Sequence, residues 1–252
     1  MTEELFRTDA TLTHCSARVL AVTEQGVVLD RTVFYPLGGG QAGDTGWLLP
    51  PQGGELPIAD TRKEKGEDGQ PTGGICHLPA PDNPELLSKL RVGDAVTARI
   101  DSARRQRLMR FHTATHLLCH LVREPVDGCS ITPDYARLDF HMTEPLDKEQ
   151  LSAGLARLVA AGLPVRVGSV TDAELDARPE LVKSMSVQPP RGSGTVRTIR
   201  IGGADAGAEL IDLQPCGGTH VVNTAEIGAV VVTKIEKKSA RTRRVVLGFA
   251  QA

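Results

Sequence analysis

With 252 residues the chain is long enough for one large domain or two modest ones, and 40% hydrophobic residues suffice for a core. Aromatic residues make up only 3% and the formal net charge is −2, which argues against stacked aromatic platforms for single-stranded nucleic acid and against a general basic field. No apolar run nears the roughly 20 residues of a membrane span, no secretory signal opens the chain, and Cys15, Cys76, Cys119, Cys129 and Cys216 are scattered and odd in number, so a reduced, cytoplasmic protein is expected.

The first part of the chain, from about Thr11 to Ile100, reads as short strands separated by turns. Ala17–Val22 and Gly26–Asp30 form a predicted hairpin around Glu24-Gln25-Gly26. Thr32-Val33-Phe34-Tyr35-Pro36-Leu37-Gly38-Gly39-Gly40-Gln41 then ends a strand in three glycines. Such glycines let backbone amides come close to a ligand, and Thr32 and Gln41 are neutral groups suited to orienting a small polar substrate. The same run is also readable as a plain glycine-rich turn, and its spacing is not that of a dinucleotide fingerprint. Pro50 to Gly74, rich in Pro, Gly and charge, reads as an exposed excursion, and Gly93–Ile100 as one more alternating strand. Residues 1–100 are therefore expected to form a small antiparallel β-barrel domain.

From Asp101 the pattern changes, and residues 101–252 read as an α+β domain. Asp101 can cap a helix in which Leu108, Phe111, Leu117, Leu118, Leu121 and Val122 recur at helical spacing, with Pro125 and Gly128 ending it. Tyr135–His141 alternates as a strand, Leu146–Ala161 as an amphipathic helix, and Pro164–Val167 and Thr195–Ile201 as strands. Ile227–Phe249 reads as a hairpin turning near Ser239.

Four side chains in this part have metal-ligand character. His112 and His116 lie at i and i+4, so a helix places both imidazoles on one face. His120 continues the series but lies roughly 12 Å along the axis from His112, too far to share an ion, and is expected to be an ordinary helix residue. Cys216-Gly217-Gly218-Thr219-His220 supplies a thiolate and a third imidazole, with glycines that let the chain turn both side chains inward. Either pair alone is as readily a set of surface or core residues. Together they make a mixed nitrogen and sulfur set for one zinc ion per chain.

Thr32 to Gln41 with Asp44, His112-Thr113-Ala114-Thr115-His116, and Cys216–His220 with Glu226-Ile227-Gly228 resemble, in the same order, the editing domain of alanyl-tRNA synthetase. Lacking an aminoacylation domain, the chain is similar to freestanding alanyl-tRNA editing proteins of the AlaX type, medium class, over nearly its whole length. The resemblance implies a barrel of the kind seen in translation factors. It also implies an α+β zinc-bearing domain like the second domain of threonyl- and alanyl-tRNA synthetases. It implies hydrolysis of the ester that joins serine or glycine to alanine tRNA; no obligate protein partner is evident from the sequence. Gln41 matches a position used for editing, Thr32 one that senses the serine hydroxyl, and Gly38, Gly39, Gly40 and Asp44 fall in the substrate-binding motif. The chain departs from the pattern at Lys237-Lys238-Ser239-Ala240-Arg241-Thr242, where a glycine and an asparagine are expected.

The energetics give such a reaction its purpose. A pocket for alanine discriminates against one missing or added small group by only about 1–3 kcal/mol, so a second site that hydrolyses the wrong products restores accuracy. The four ligands either saturate a tetrahedral zinc, which is then structural, or leave a position open to water or substrate. With no global basic field, tRNA contacts must be local. Arg104, Arg105, Arg107 and Arg110 open the metal helix, and Lys237, Lys238, Arg241 and Arg243 lie in the last hairpin. Two other readings stand beside an editing esterase. One is a zinc-stabilised RNA- or protein-binding module without turnover, and the other is a zinc hydrolase of small esters.

Overall fold

The computed structural model describes residues 1–66, 68–81, 84–186, 188–189, 192, 194–203 and 209–250. The chain is α+β and forms two compact units, Met1–Gly38 with Ala42–Gln106, and Gly39–Gln41 with Arg107–Ala252. The division thus falls within a helix, six residues beyond the boundary at 100/101 read from the sequence, and a three-residue piece of the glycine motif joins the second unit.

The first unit contains β1 (Glu3–Glu4), β2 (His14–Val22), β3 (Val27–Leu29), β4 (Arg31–Thr32), β5 (Gly46–Leu49), β6 (Leu56–Lys65), β7 (Pro71–Pro79), the short helix α1 (Pro84–Lys89) and β8 (Ala95–Ile100). Six of the strands close into an antiparallel barrel in the order β2-β3-β7-β6-β5-β8. Alternation sets the inward face. Ala17 and Val19 of β2 and Val96, Ala98 and Ile100 of β8 point into one core with Val27, Leu29, Phe34, Leu48, Leu56 and Ile58. The hairpin of β2 and β3 and the strand β8 match the sequence reading. The excursion between Pro50 and Gly74 does not, because it holds all of β6 and the start of β7. Register shifts at Ile58/Asp60 and Lys63/Lys65 break the two-residue period there, so charged residues interrupt the pattern that marks a strand.

The helix α2 (Ser102–Val122) is capped as expected, with the Asp101 carboxylate accepting from the Arg104 amide at 3.0 Å. From Phe111 to Cys119 every residue is buried, so the helix is enclosed on all sides where it carries the histidines. It ends at Arg123, which adopts φ 60°. Gly128, read as part of the helix stop, lies instead within the next strand.

The second unit continues with β9 (Val126–Ile131), β10 (Ala136–His141), α3 (Lys148–Ala160), β11 (Val165–Thr171), α4 (Asp172–Ala177), β12 (Thr195–Gly202), β13 (Leu210–Pro215), β14 (Val230–Ser239) and β15 (Thr242–Phe249). One antiparallel sheet runs β14-β15-β10-β9 and a second runs β11-β12-β13. Helix α3 lies against β14, where Ser152 Oγ accepts from the Val232 amide at 3.1 Å. Among the described residues no helix is long and apolar enough to cross a membrane.

Candidate metal centre

Helix α2 sets His112 and His116 one turn apart, and the loop after β13 carries Cys216 and His220 to the same point. Cys216 Sγ lies 3.4 Å from His112 Nε2 and 3.3 Å from His220 Nε2, and the four ligand atoms all lie within 4.8 Å of one another. Tetrahedral zinc bound by nitrogen at roughly 2.0–2.1 Å and sulfur at about 2.3 Å requires N···S separations near 3.5 Å. The donor set and its spacing therefore fit a zinc-sized cation.

Burial alone would raise the Cys216 thiol, but electrostatic interaction with the neighbouring His112 and His220 and hydrogen bonds from His112 and His116 pull it well below its ordinary value. The thiolate is the form that ligates a metal. Burial, with His112 beside it, pushes His220 down to about 3, which keeps its imidazole neutral. His116 is raised to about 9, because hydrogen bonds with Asp212 and Cys216 outweigh its burial.

Gly218 is a glycine for a local reason. A Cβ at this position would fall on the His112 ring and 2.9 Å from Gln41 Oε1, so the loop can close on the helix only without a side chain here.

The partners of the imidazoles are equally specific. His112 Nδ1 lies 2.7 Å from Gln41 Oε1, His116 Nδ1 lies 2.7 Å from Asp212 Oδ2, and His220 Nδ1 lies 3.2 Å from Thr113 Oγ1. Gln41 is fully buried, accepts from the Thr219 amide at 3.1 Å and donates to Thr219 Oγ1 at 2.9 Å. Asp212 also accepts from Gln214 Nε2 at 2.8 Å and from Lys183 Nζ. His120 stands apart from the cluster, with Nδ1 on the Ile211 carbonyl at 2.8 Å.

The remaining motif residues are distributed between the units. In the first, Thr32 is fully buried, and its hydroxyl lies 2.8 Å from His77 Nε2 and accepts from the Phe34 amide at 3.0 Å. Gly38 accepts from the Tyr35 hydroxyl at 2.8 Å. In the second, Gly39 and Gly40 take φ 57° and 84°. Gly40 lies against Cys129, whose Sγ would be 2.8 Å from an added Cβ, and its carbonyl accepts from the Ile131 amide at 2.8 Å.

Two arginines from the runs read as basic surface turn inward. Arg105, read as part of a basic surface, is 2% exposed and ion-paired with Asp44, which is 1% exposed. Asp44 also accepts from the Tyr35 amide at 2.6 Å. Arg243 is 8% exposed and donates to the carbonyls of Ser239, Thr242 and Thr143 beside the turn of the last hairpin. In both cases a long side chain folds inward onto acceptors that a charge count along the sequence cannot see.

Arg107 and Arg110 are half-buried, with guanidinium carbons 5.0 Å and 3.9 Å from the centre of the Phe249 ring. Arg104 is half-buried and donates to the Gly43 carbonyl at 3.2 Å. Lys237, Lys238 and Arg241 are exposed at the hairpin tip.

Asp212, Thr113, Thr219, Gln214 and Lys183 were not legible as site residues. A signal existed for two of them. Asp212 and Gln214 stand two apart on β13 just before Cys216, so they share one face of the strand.

Residues 196–246 match the family model described as "Threonyl and Alanyl tRNA synthetase second additional domain", and residues 7–104 match "tRNA synthetases class II (A)". The chain is 31% identical over 249 residues to "Alanyl-tRNA editing protein AlaX-M" of Saccharolobus solfataricus, covering 97% of this chain and 98% of that one. It is 33% identical to the AlaX-M protein of Methanosarcina barkeri, covering 97% of each. It is also 31% identical to an "Alanine--tRNA ligase" of Saccharolobus islandicus, spanning 94% of this chain but 25% of the ligase. On this full-length similarity, the chain belongs to the AlaX-M family of alanyl-tRNA editing proteins.

Proposed function

We propose that this chain is a trans-editing hydrolase that deacylates alanine tRNA mischarged with serine or glycine. The observation that carries the reading is the convergence of His112, His116, Cys216 and His220 at one buried point in a member of this family. These four residues would hold one zinc ion per chain, which would supply positive charge beside the aminoacyl ester. An ester of a tRNA ribose is already activated, so positioning and modest charge stabilisation suffice, and no covalent intermediate is invoked.

Serine selection falls to Thr32. Burial pushes His77 down to about 4, so the ring is neutral, and its Nδ1–H donates to the Val27 carbonyl at 3.0 Å. Its Nε2 is then an acceptor, and the Thr32 hydroxyl must donate to it. The Phe34 amide takes one Thr32 lone pair. The other is left to accept a hydrogen bond from the hydroxyl of a seryl ester. Alanine and glycine have no group to offer it. Gly38 and Gly39 contribute backbone amides near the substrate in this reading, and Lys237, Lys238 and Arg241 bind phosphates of the tRNA.

The test is to incubate the full chain with labelled Ser-, Gly- and Ala-tRNA for alanine and to follow acid-precipitable label. Seryl and glycyl label should be lost while alanyl label persists. Thr32→Val, which keeps the shape and deletes the hydroxyl, should lose Ser-tRNA hydrolysis and largely keep Gly-tRNA hydrolysis. An equal fall in both would make Thr32 a structural residue, and retention of all three labels by the wild type would reject the function.

A further inference from the structure

The three imidazoles of the centre leave no freedom over which nitrogen carries the proton. Either ring nitrogen of a neutral histidine can bind a metal, and the choice is set by the bond that the other one makes. The nearest partner of each Nδ1 is an acceptor: Gln214 Nε2, a donor, also lies 3.1 Å from His116 Nδ1, but it lies closer to Asp212 Oδ2, at 2.8 Å, and donates there. Asp212 is a carboxylate already bonded by Gln214 Nε2 and Lys183 Nζ, so His116 must place its proton on Nδ1.

For Gln41 the amide could in principle be turned either way. The Thr219 backbone N–H, an obligate donor, lies 3.1 Å from the oxygen, and Thr219 Oγ1 lies 2.9 Å from the nitrogen. The oxygen therefore faces His112, which must also carry its proton on Nδ1. Thr113 is settled in the same way. Its hydroxyl donates to the Met109 carbonyl at 2.9 Å, one turn back along α2, so toward His220 it can only accept.

We infer that Gln41, Asp212 and Thr113 are positioning residues that fix all three histidines as Nδ1–H tautomers and commit three Nε2 lone pairs, with the Cys216 thiolate, to a single ion. The inference rests on the reading that the cluster holds a metal. Gln41, whose motif position suggests a part in editing, then acts through His112 and not on the ester. The three partners also differ in charge. Asp212 is anionic and makes His116 the strongest donor, whereas Gln41 and Thr113 are neutral and leave His112 and His220 as ordinary imidazole ligands.

Long-range proton–nitrogen correlation spectra of the histidine rings in the zinc-loaded full chain read the tautomers without any substitution. The expected result is a protonated Nδ1 and a zinc-bound Nε2 at His112, His116 and His220. Zinc affinity measured by competition with a chromophoric chelator supplies the second readout. Gln41→Met, Thr113→Val and Asp212→Asn should each weaken zinc binding by about 10–100-fold, as loss of a ligand's hydrogen-bond partner does elsewhere. Asparagine fails at 212 because an amide cannot accept from His116, Gln214 and Lys183 at once. Gln41→Glu, which keeps the acceptor, should retain most of the affinity. Coordination through Nδ1 at any of the three rings, or wild-type zinc affinity in Gln41→Met and Asp212→Asn, would overturn the inference. A wild-type chain that takes up no zinc would instead remove the metal reading itself, and the inference with it.

Discussion

In the barrel unit, Arg105 donates to Asp44, to the Ala10 carbonyl at 2.9 Å and to the Val33 carbonyl at 2.6 Å, while Asp44 accepts in addition from the Tyr35 amide. Every polar group of that pair faces another group of the protein. In the second unit, His112, His116 and His220 have Nδ1 beside Gln41, Asp212 and Thr113, and His112 and His220 turn Nε2 toward Cys216. Both networks are buried and both contain ionisable groups, so burial and charge alone do not distinguish them. What differs is closure. A network whose bonds all end on the protein holds a fold together, whereas one that satisfies a single side of each ligand and aims the other sides at one point is built for a ligand.

Breaking the closed network should cost stability and nothing specific to metal. Asp44→Ala leaves the Arg105 guanidinium buried without its partner, and removing one half of a buried pair costs about 3–5 kcal/mol. Urea denaturation should show this loss while zinc content per folded chain is unchanged. Loss of zinc with unchanged stability would place Asp44 at the centre after all.

The barrel unit also predicts a pH dependence. The folded pKa of His77 is lowered to about 4 from 6.5, so between these values the unfolded chain binds the extra proton. Stability from this group is complete above pH 6.5 and falls as the pH drops through 4, by up to roughly 3 kcal/mol. The stability gap between wild type and His77→Gln should shift by that amount over the window, and a constant gap would contradict it.

For the open network the corresponding test is Gly218→Ala. The methyl group collides with His112 and should lower zinc affinity by at least about 100-fold while the chain still folds, as read by chelator competition and circular dichroism. Unchanged affinity would mean that the loop position is not coupled to the ligand.

The smallest effect belongs to neither network. Changing Lys237, Lys238 and Arg241 together to alanine should weaken tRNA binding and flatten its salt dependence, by about 0.7–0.9 in slope for each phosphate that is no longer neutralised. Turnover at saturating tRNA should persist. An unchanged slope would turn attention to Arg107 and Arg110, the half-buried pair on Phe249.

The same contrast explains what could be read from the sequence. The cluster of four ligand-type side chains was legible because each pair is local. A helical repeat brings His112 to His116, and a glycine turn brings Cys216 to His220. Their orienting partners were not, because Gln41 lies 71 residues from His112 and Asp212 lies 96 from His116, and nothing in a single sequence reports such pairs. The barrel was legible where alternation is regular, as in β8, and was lost in β6, where bulges shift the register. Arg105 and Arg243 were misplaced for a related reason. A run of basic residues looks like a surface, but a long side chain can fold back onto buried acceptors.

On this proposal the open network holds one metal ion through His112, His116, Cys216 and His220. Elemental analysis of the full chain, purified without chelators, tests it directly when run beside Cys216→Ala. The wild-type chain should carry about one zinc, as a single four-ligand site requires, and the variant little or none. Full occupancy in Cys216→Ala, or no metal in the wild type, would contradict it.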